Sequence, residues 1–266
     1  MRAIRSFALV TLVLLLNGCA GTSPSNSAQA REALAPTGKL RAGFLATAPT
    51  HAVKDPASGE LRGPAMDLGR ELARQLGVPF EAVPYTSFPP LLEGAKSGAW
   101  DVAFMGTSAE RAQVVDFTPP YMIVQFSYLV PKDSALGSPA DIDRAGVRIA
   151  VLEKSSPDAH LSRTVRNATI VRLPTLGETV QAIAAGGAHA AFGTKAGMLA
   201  QAAKVPGSRV LDGEFGGEET AMALPKGRAG AAAHARDFVE AAKAGGLVKA
   251  AIDKAQLRGV VVAPRP

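Results

Sequence analysis

The chain has 266 residues, with 29 Lys and Arg against 23 Asp and Glu, a formal net charge of +6 and 47% hydrophobic residues. The charges are interspersed without a block of like sign, which argues against nucleic-acid binding. A single cysteine forbids a disulfide within one chain, so the fold must be stable from its core alone.

Residues 1–20 read MRAIRSFALVTLVLLLNGCA. Arg2 and Arg5 form a basic start, and Phe7 to Leu16 is an apolar run too short to span a bilayer as a stable helix. Leu16-Asn17-Gly18-Cys19 resembles the bacterial lipobox, in which a small residue precedes the cysteine that is lipidated and becomes N-terminal. Residues 1–18 are thus expected to be a lipoprotein signal peptide and Cys19 the lipid attachment site. The alternative is a plain signal peptide with an incidental cysteine. Residues 19–37, rich in Ser, Ala, Asn and Gln, are expected to be a flexible tether. No later segment approaches the ~18 apolar residues of a membrane span.

Short apolar strands and amphipathic helices then alternate. Leu40 to Phe44 reads as a strand. Pro64 opens a helix with Leu68, Leu72 and Leu76 on one face and Gly77 at its end. Phe80 to Tyr85 is a strand, Pro89-Pro90 begin a helix closed by Gly98, Asp101 to Met105 is a buried strand, and Tyr121 to Val130 a long one. A second set follows. Ser138 caps a helix with Pro139 at its first position, Val147 to Leu152 is a strand, and Ser155-Ser156-Pro157 open a helix. Thr169 to Leu173 is a strand, Thr175 to Glu178 matches a capping box, Ala188 to Gly193 is a strand and Lys195 to Ala203 a helix. Met222 to Gly227 is a strand and turn, and Arg228 to Leu257 is helical with a break at Gly245-Gly246. This pattern predicts two similar α/β lobes, an architecture in which ligands commonly bind between the lobes.

Four stretches, in order, resemble the extracellular solute-binding proteins of family 3, the polar amino-acid type of ABC-transporter receptor. They are Asp55 to Leu68, Gly94 to Asp101, Thr107 to Arg111 with Val115 to Tyr121, and Ala223 to Gly227. The resemblance runs from about residue 38 to 259. It implies the type II periplasmic-binding-protein fold, two α/β lobes joined by two hinge crossovers near Tyr121–Gln125 and Gly217–Ala221. Lobe one would comprise residues 38–122 and 221–260, and lobe two residues 123–220. Ligand binding in the cleft would close the lobes, and the closed form would dock on a permease.

By the same resemblance, Arg111 makes a bidentate pair with a ligand carboxylate, which suits a planar fork whose charge never titrates. Pairing of Arg111 with Glu110 or Asp116 is the structural alternative. Ser108 and Gly106 offer hydroxyl and backbone donors beside it, although Ser108 could equally cap the turn that carries Arg111. Tyr85 falls at the aromatic position that packs on the ligand side chain, flanked by Thr86 and Ser87 as donors; core packing is its alternative. Lys154, Ser155 and Ser156 match the lobe-two loop that donates to the carboxylate from a helix N-terminus, where an ordinary N-cap would look the same.

The chain departs from the family on the amine side. The acid expected after the strand ending at Gly193 is replaced by Thr194, followed by Lys195, and the first-strand loop from Leu45 to Pro49 carries no carboxylate. His51 is expected to be solvated. Glu218 and Glu219 at the second crossover are either solvated hinge residues or the source of the missing negative charge, and Glu219 is taken as the candidate. Nothing in the sequence asks for a cofactor, because His51, His160, His189 and His234 lack metal spacing. The chain is therefore expected to be a monomeric receptor on the extracytoplasmic or periplasmic face. It would be held to the membrane through Cys19, bind a small carboxylate solute and serve an ABC permease in the inner membrane. The alternatives are an enzyme on the same fold, of the cyclohexadienyl dehydratase kind, or a sensory receptor.

Overall fold

The computed structural model describes residues 24–55 and 58–265; the signal-peptide and Cys19 expectations lie outside these residues. In chain order the elements begin with α1 (Pro24–Leu34), β1 (Leu40–Leu45), β2 (Thr47–Ala48), β3 (Ala52–Lys54), β4 (Leu61–Arg62), α2 (Pro64–Leu76) and β5 (Phe80–Tyr85). Next come α3 (Phe88–Ser97), β6 (Val102–Gly106), a 3-10 turn at Arg111–Gln113, β7 (Val115–Pro131), α4 (Pro139–Ile142), β8 (Arg148–Leu152) and α5 (Ser156–Thr164). The remainder is β9 (Thr169–Leu173), α6 (Leu176–Ala184), β10 (Ala190–Thr194), α7 (Lys195–Ala202), β11 (Ser208–Val210), β12 (Gly217–Pro225), α8 (Ala229–Ala244), α9 (Leu247–Lys254) and β13 (Val260–Val262).

The main sheet runs β5-β1-β6-β12-β7-β10-β8-β9, with β11 and β13 also pairing with β7. Its two halves form the two α/β lobes. In one, β1 is parallel to β5 and β6, and β12 runs antiparallel to β6. In the other, β8 is parallel to β9 and β10. Strand β7 belongs to both: Val115 to Gln125 pair with β12, and Phe126 to Leu129 pair with β10. The 17-residue length of β7 exceeds the Tyr121–Val130 strand read from sequence because its first residues, polar and Pro-containing, are held by pairing with β12.

Each half is covered on both faces. Leu34, Phe44, Leu68, Phe104 and Val239 pack on one side of the first half, and Leu91, Trp100 and Met105 on the other. In the second half, Phe126, Ile149, Leu161 and Phe192 oppose Leu129, Val180 and Met198. Helix α2 starts with Pro64 in its first turn and stops at Gly77, which adopts φ 65° and returns its N–H to Ala73 and Arg74 carbonyls. Before it, Gly63 at φ 148° has its Cα so close to the preceding loop that an added Cβ would lie 2.5 Å from the His51 carbonyl oxygen. That contact fixes the His51 loop against the start of α2.

The expected flexible tether is corrected over its second half. Residues Pro24–Leu34 form a helix that packs on α8 and α2. The cause is a short apolar stripe: Ala30, Leu34 and Ala35 are buried at helical spacing. Two arginines close the contact, with Arg31 Nε donating to the Leu76 carbonyl at 2.9 Å and Arg228 donating to the Ala33 carbonyl. Composition obscured this because the segment is rich in polar residues, of which Gln29, Arg31 and Glu32 are exposed. Leu34 has no exposure, so Leu34→Ala is expected to cost about 2 kcal/mol, read as a lower urea midpoint. An unchanged midpoint would mean the segment contributes nothing to the folded lobe.

Candidate functional site

Between the two halves of the sheet lies a cavity of about 60 Å³. Leu45, Ala48 and Phe88 wall it from the first half, and Leu152, Leu176 and Phe192 from the second. Its polar groups are Thr50, His51, Ser155, Ser156, Thr194 and Glu218. A larger, open depression of about 680 Å³ lies elsewhere, where α1 meets α8. Its charged groups serve the fold: Arg41 pairs with buried Asp101 at 2.8 Å, so that depression is a surface groove between packed elements.

Arg111 sits at the seam of the two lobes beside the cavity. The 3-10 turn that carries it follows β6, and Ser108 Oγ accepts from the Arg111 N–H at 3.2 Å, so the Ser108 hydroxyl holds the start of that turn. Arg111 is 3% exposed, and its guanidinium carbon lies over the Phe88 ring, 3.8 Å from its centroid. Its Nη1 donates to the Gly106 carbonyl at 2.6 Å and to Ser156 Oγ at 3.2 Å; its Nη2 donates to the Lys154 carbonyl at 3.1 Å. One arginine thus touches both lobes. Burial works against its charge, while Glu218 and Glu110 support it. It forms no ion pair with Asp116, which pairs with Lys226.

The lobe-two loop is built around Asp158. Its carboxylate accepts from the Lys154 N–H at 3.0 Å and pairs with Arg172 at 2.9 Å. Lys154 adopts φ 56°, a left-handed conformation unusual for a side-chain-bearing residue, and thereby turns its carbonyl toward Arg111. Ser155 is the N-cap of α5: its Oγ accepts from the Asp158 N–H at 3.2 Å and donates to the Leu152 carbonyl at 2.6 Å. Ser156, by contrast, faces the seam and meets both Arg111 and Glu218.

Glu218 enters from β12, where it pairs with Val124 of β7. Its carboxyl reaches the space above Gly106: a Cβ added there would overlap Glu218 Oε2 and lie 2.7 Å from Ser156 Oγ. Burial raises the Glu218 pKa, opposed by the Ser156 hydrogen bond and the Arg111 charge. Glu219, the residue expected from sequence, is exposed, and its carbonyl accepts from the Thr107 N–H. The acid at the cleft is therefore Glu218. Successive strand residues face opposite sides, and this parity is set by pairing with β6 and β7.

Other expectations shift too. Tyr85 does not line the cavity: its hydroxyl lies over α3, 2.6 Å from where a Gly94 Cβ would be, and it packs in the Leu91–Trp100 cluster. Phe88, three residues on, takes the aromatic place in the cleft. Thr86 is exposed, and Ser87 is the N-cap residue of α3 without a side-chain cap bond. Thr194 lines the cavity but also caps α7, accepting from the Gly197 N–H at 3.1 Å. Lys195 turns away toward Asp212, 3.6 Å off. His51 is 3% exposed rather than solvated, with Nδ1 accepting from the Leu45 N–H at 3.4 Å and its ring edge-on to Phe88. Burial, with the Arg111 charge second, lowers its pKa to about 3, so the imidazole is neutral. The hairpin of β2 and β3, which brings His51 inward, is two residues on one side and three on the other; elements that short leave no period to read in a sequence.

Among the described residues no group of three or more His, Cys, Asp or Glu is arranged to hold a metal ion, and no helix is long and apolar enough to cross a membrane. The arrangement is a cleft with one arginine, one carboxyl, hydroxyls from both lobes and apolar walls. Comparison with known proteins agrees with that architecture. The chain is 24% identical over 242 residues to the ABC transporter glutamine-binding protein of Bacillus subtilis (strain 168), covering 86% of this chain and 88% of that one. It superposes with a TM-score of 0.72 and 27% identity on an ancestral amino acid-binding protein described as a precursor of cyclohexadienyl dehydratase, covering 82% and 96% of the two chains. A mutant of ArgBP from T. maritima gives a TM-score of 0.73 at 26% identity, covering 85% and 98%. The family model for bacterial extracellular solute-binding proteins, family 3, matches residues 40–255, and the chain belongs to that family.

Proposed function

We propose that this protein is the extracytoplasmic receptor of an ABC importer, tethered through Cys19, and that it captures a small carboxylate-bearing solute between its lobes. The observation that carries this reading is Arg111. A buried guanidinium, stacked on Phe88 and contacting groups of both lobes, is positioned to couple carboxylate binding to lobe closure. Strands β7 and β12 lie side by side, which supports a two-stranded hinge; in this reading lobe one is residues 38–122 and 221–260 and lobe two 123–220. The curated relative bears the name of a glutamine-binding protein, which supports amino acids as the first ligand class to test. The closed receptor then presents itself to a permease as a monomer.

A thermal-shift screen of the full chain in detergent tests this, using the standard amino acids and small amine-free mono- and dicarboxylates. A solute at 100 times its dissociation constant adds roughly 2.7 kcal/mol, a rise on the order of several degrees for a chain this size. The expected result is a shift with at least one carboxylate and none with its amide or ester. No shift with any carboxylate would overturn the reading.

A second reading rests on Glu218. A carboxyl whose pKa burial raises, set over a cleft, has the properties of a general acid, and one structural neighbour is described as a dehydratase precursor. Mass spectrometry of each binder after incubation separates the two: recovery of the intact solute leaves binding as the function, and a dehydrated product would make the protein an enzyme.

A further inference from the structure

We infer that the bilayer surface is the neighbour of lobe one. Docking of helix α1 cuts the tether from Cys19 to five residues, which holds lobe one beside the lipid headgroups and leaves lobe two as the outer, moving lobe. The inference rests on the Cys19 reading above and adds how the receptor stands on its membrane.

The physical case starts from the length of chain. From Cys19 to Leu40, where β1 begins, the sequence advances 21 residues, and a free chain of that length can extend to about 70 Å. A lobe of roughly 100 residues is about 35 Å across. A receptor on so long a leash can present any face to the membrane.

Helix α1 removes most of that freedom. Ala30 and Leu34, four residues apart, are both buried, as is Ala35 just beyond the helix. Arg31 Nε donates to the Leu76 carbonyl at the end of α2, and Arg228, at the start of α8, donates to the Ala33 carbonyl. Both α2 and α8 belong to lobe one. Between Cys19 and Pro24, where α1 begins, five residues span at most about 18 Å whatever path they take. A lipid on Cys19 therefore keeps the start of α1 within about half a lobe's width of the headgroups.

The layer that α1 joins has no lipid-binding face of its own. Helices α1, α2, α8 and α9 cover one side of the first half of the sheet. Arg74, Lys249 and Lys254 of this layer pair with Glu71, Asp253 and Asp67. Among the described residues, Val261 is the one exposed large hydrophobic side chain. Such a surface neither inserts into acyl chains nor requires anionic headgroups. The short chain sets the orientation, so the same orientation is expected on zwitterionic lipid.

Resonance energy transfer from the full lipidated chain, on phosphatidylcholine vesicles carrying a rhodamine-headgroup lipid, tests this. Lipidation uses the Cys19 thiol, so an introduced cysteine is the one free thiol. The donor dye is placed through Gln75→Cys, beside the Leu76 that Arg31 holds, or through Ala184→Cys, exposed on α6 of lobe two. The expected result is a larger loss of donor emission at position 75 than at position 184. Inserting ten Gly and Ser residues after Thr22 adds about 35 Å of reach and should shrink that difference while α1 stays docked. Equal losses at the two positions would overturn the inference, as would a difference that the insertion leaves unchanged or one that appears only when anionic lipid is added. Mass spectrometry of the purified chain reads the Cys19 modification separately. An unmodified Cys19 means that the tethering reading fails and the inference with it, whereas a lipidated chain with equal losses overturns the inference alone.

Discussion

Arg111→Ala should weaken binding of a carboxylate solute by roughly 2–5 kcal/mol, the cost of breaking a desolvated, hydrogen-bonded charge pair. That is about 30-fold to several thousandfold in dissociation constant. The size follows from the setting. Arg111 is 3% exposed and its guanidinium rests over the Phe88 ring, so little solvent screens a charge pair made there. Its loss also removes the hydrogen bonds it gives to the Gly106 and Lys154 carbonyls. Arg111→Lys separates charge from geometry: it keeps the cation, loses the planar fork and should recover only part of the affinity. Titration calorimetry against the best carboxylate from the screen reads both. Unchanged affinity in Arg111→Ala, with a lowered melting temperature, would assign Arg111 to holding the lobes together and remove it from recognition.

The contrast between Arg111 and Glu218 shows what the sequence carried and what it could not. Arg111 sits in a contiguous motif that begins at Thr107 and ends on a turn, so its place was legible from order alone. The helix Pro64–Leu76 was legible for a similar reason, since a proline at its start and a left-handed glycine at its end are local instructions. Glu218 and Glu219 are adjacent, and which of them faces the cleft depends on the parity of β12 against β6 and β7, a pairing of residues about a hundred positions apart. A register shift in β12 between Thr220 and Ala221 removes even the help of simple alternation. Tyr85 and Phe88 raise the same difficulty, because both are aromatic and three residues apart, and only the docking of α3 sends one to the core and the other to the cleft. Helix α1 was hidden by the polar composition of its sequence. Ser155 and Ser156 were read together, whereas α5 uses the first as a cap and leaves the second for the seam.

His51 yields the second large effect, and it is an acid lability. An unfolded histidine titrates near 6.5, whereas folding holds this one at about 3, chiefly by burial and secondly through the Arg111 charge. Between those values the unfolded chain binds a proton that the folded chain refuses, so stability rises with pH across the window. The contribution is complete above about pH 6.5 and is lost as pH falls toward 3; by pH 4 the loss amounts to roughly 3 kcal/mol. His51→Asn keeps a side-chain acceptor near the Leu45 N–H and cannot titrate. At pH 7 the variant should be less stable, because it loses the edge-on contact with Phe88 and some buried volume. As the pH is lowered the gap should close, since only the unaltered chain pays for refusing the proton. Urea unfolding of both proteins at pH 7, 6, 5 and 4 measures the gap directly, and carboxylates that titrate in both chains cancel from it. Parallel curves would mean that the folded chain protonates His51 freely, which requires the imidazole to reach water. That would place the protein in solution with its lobes apart, the imidazole open to water and the Arg111 charge farther from it.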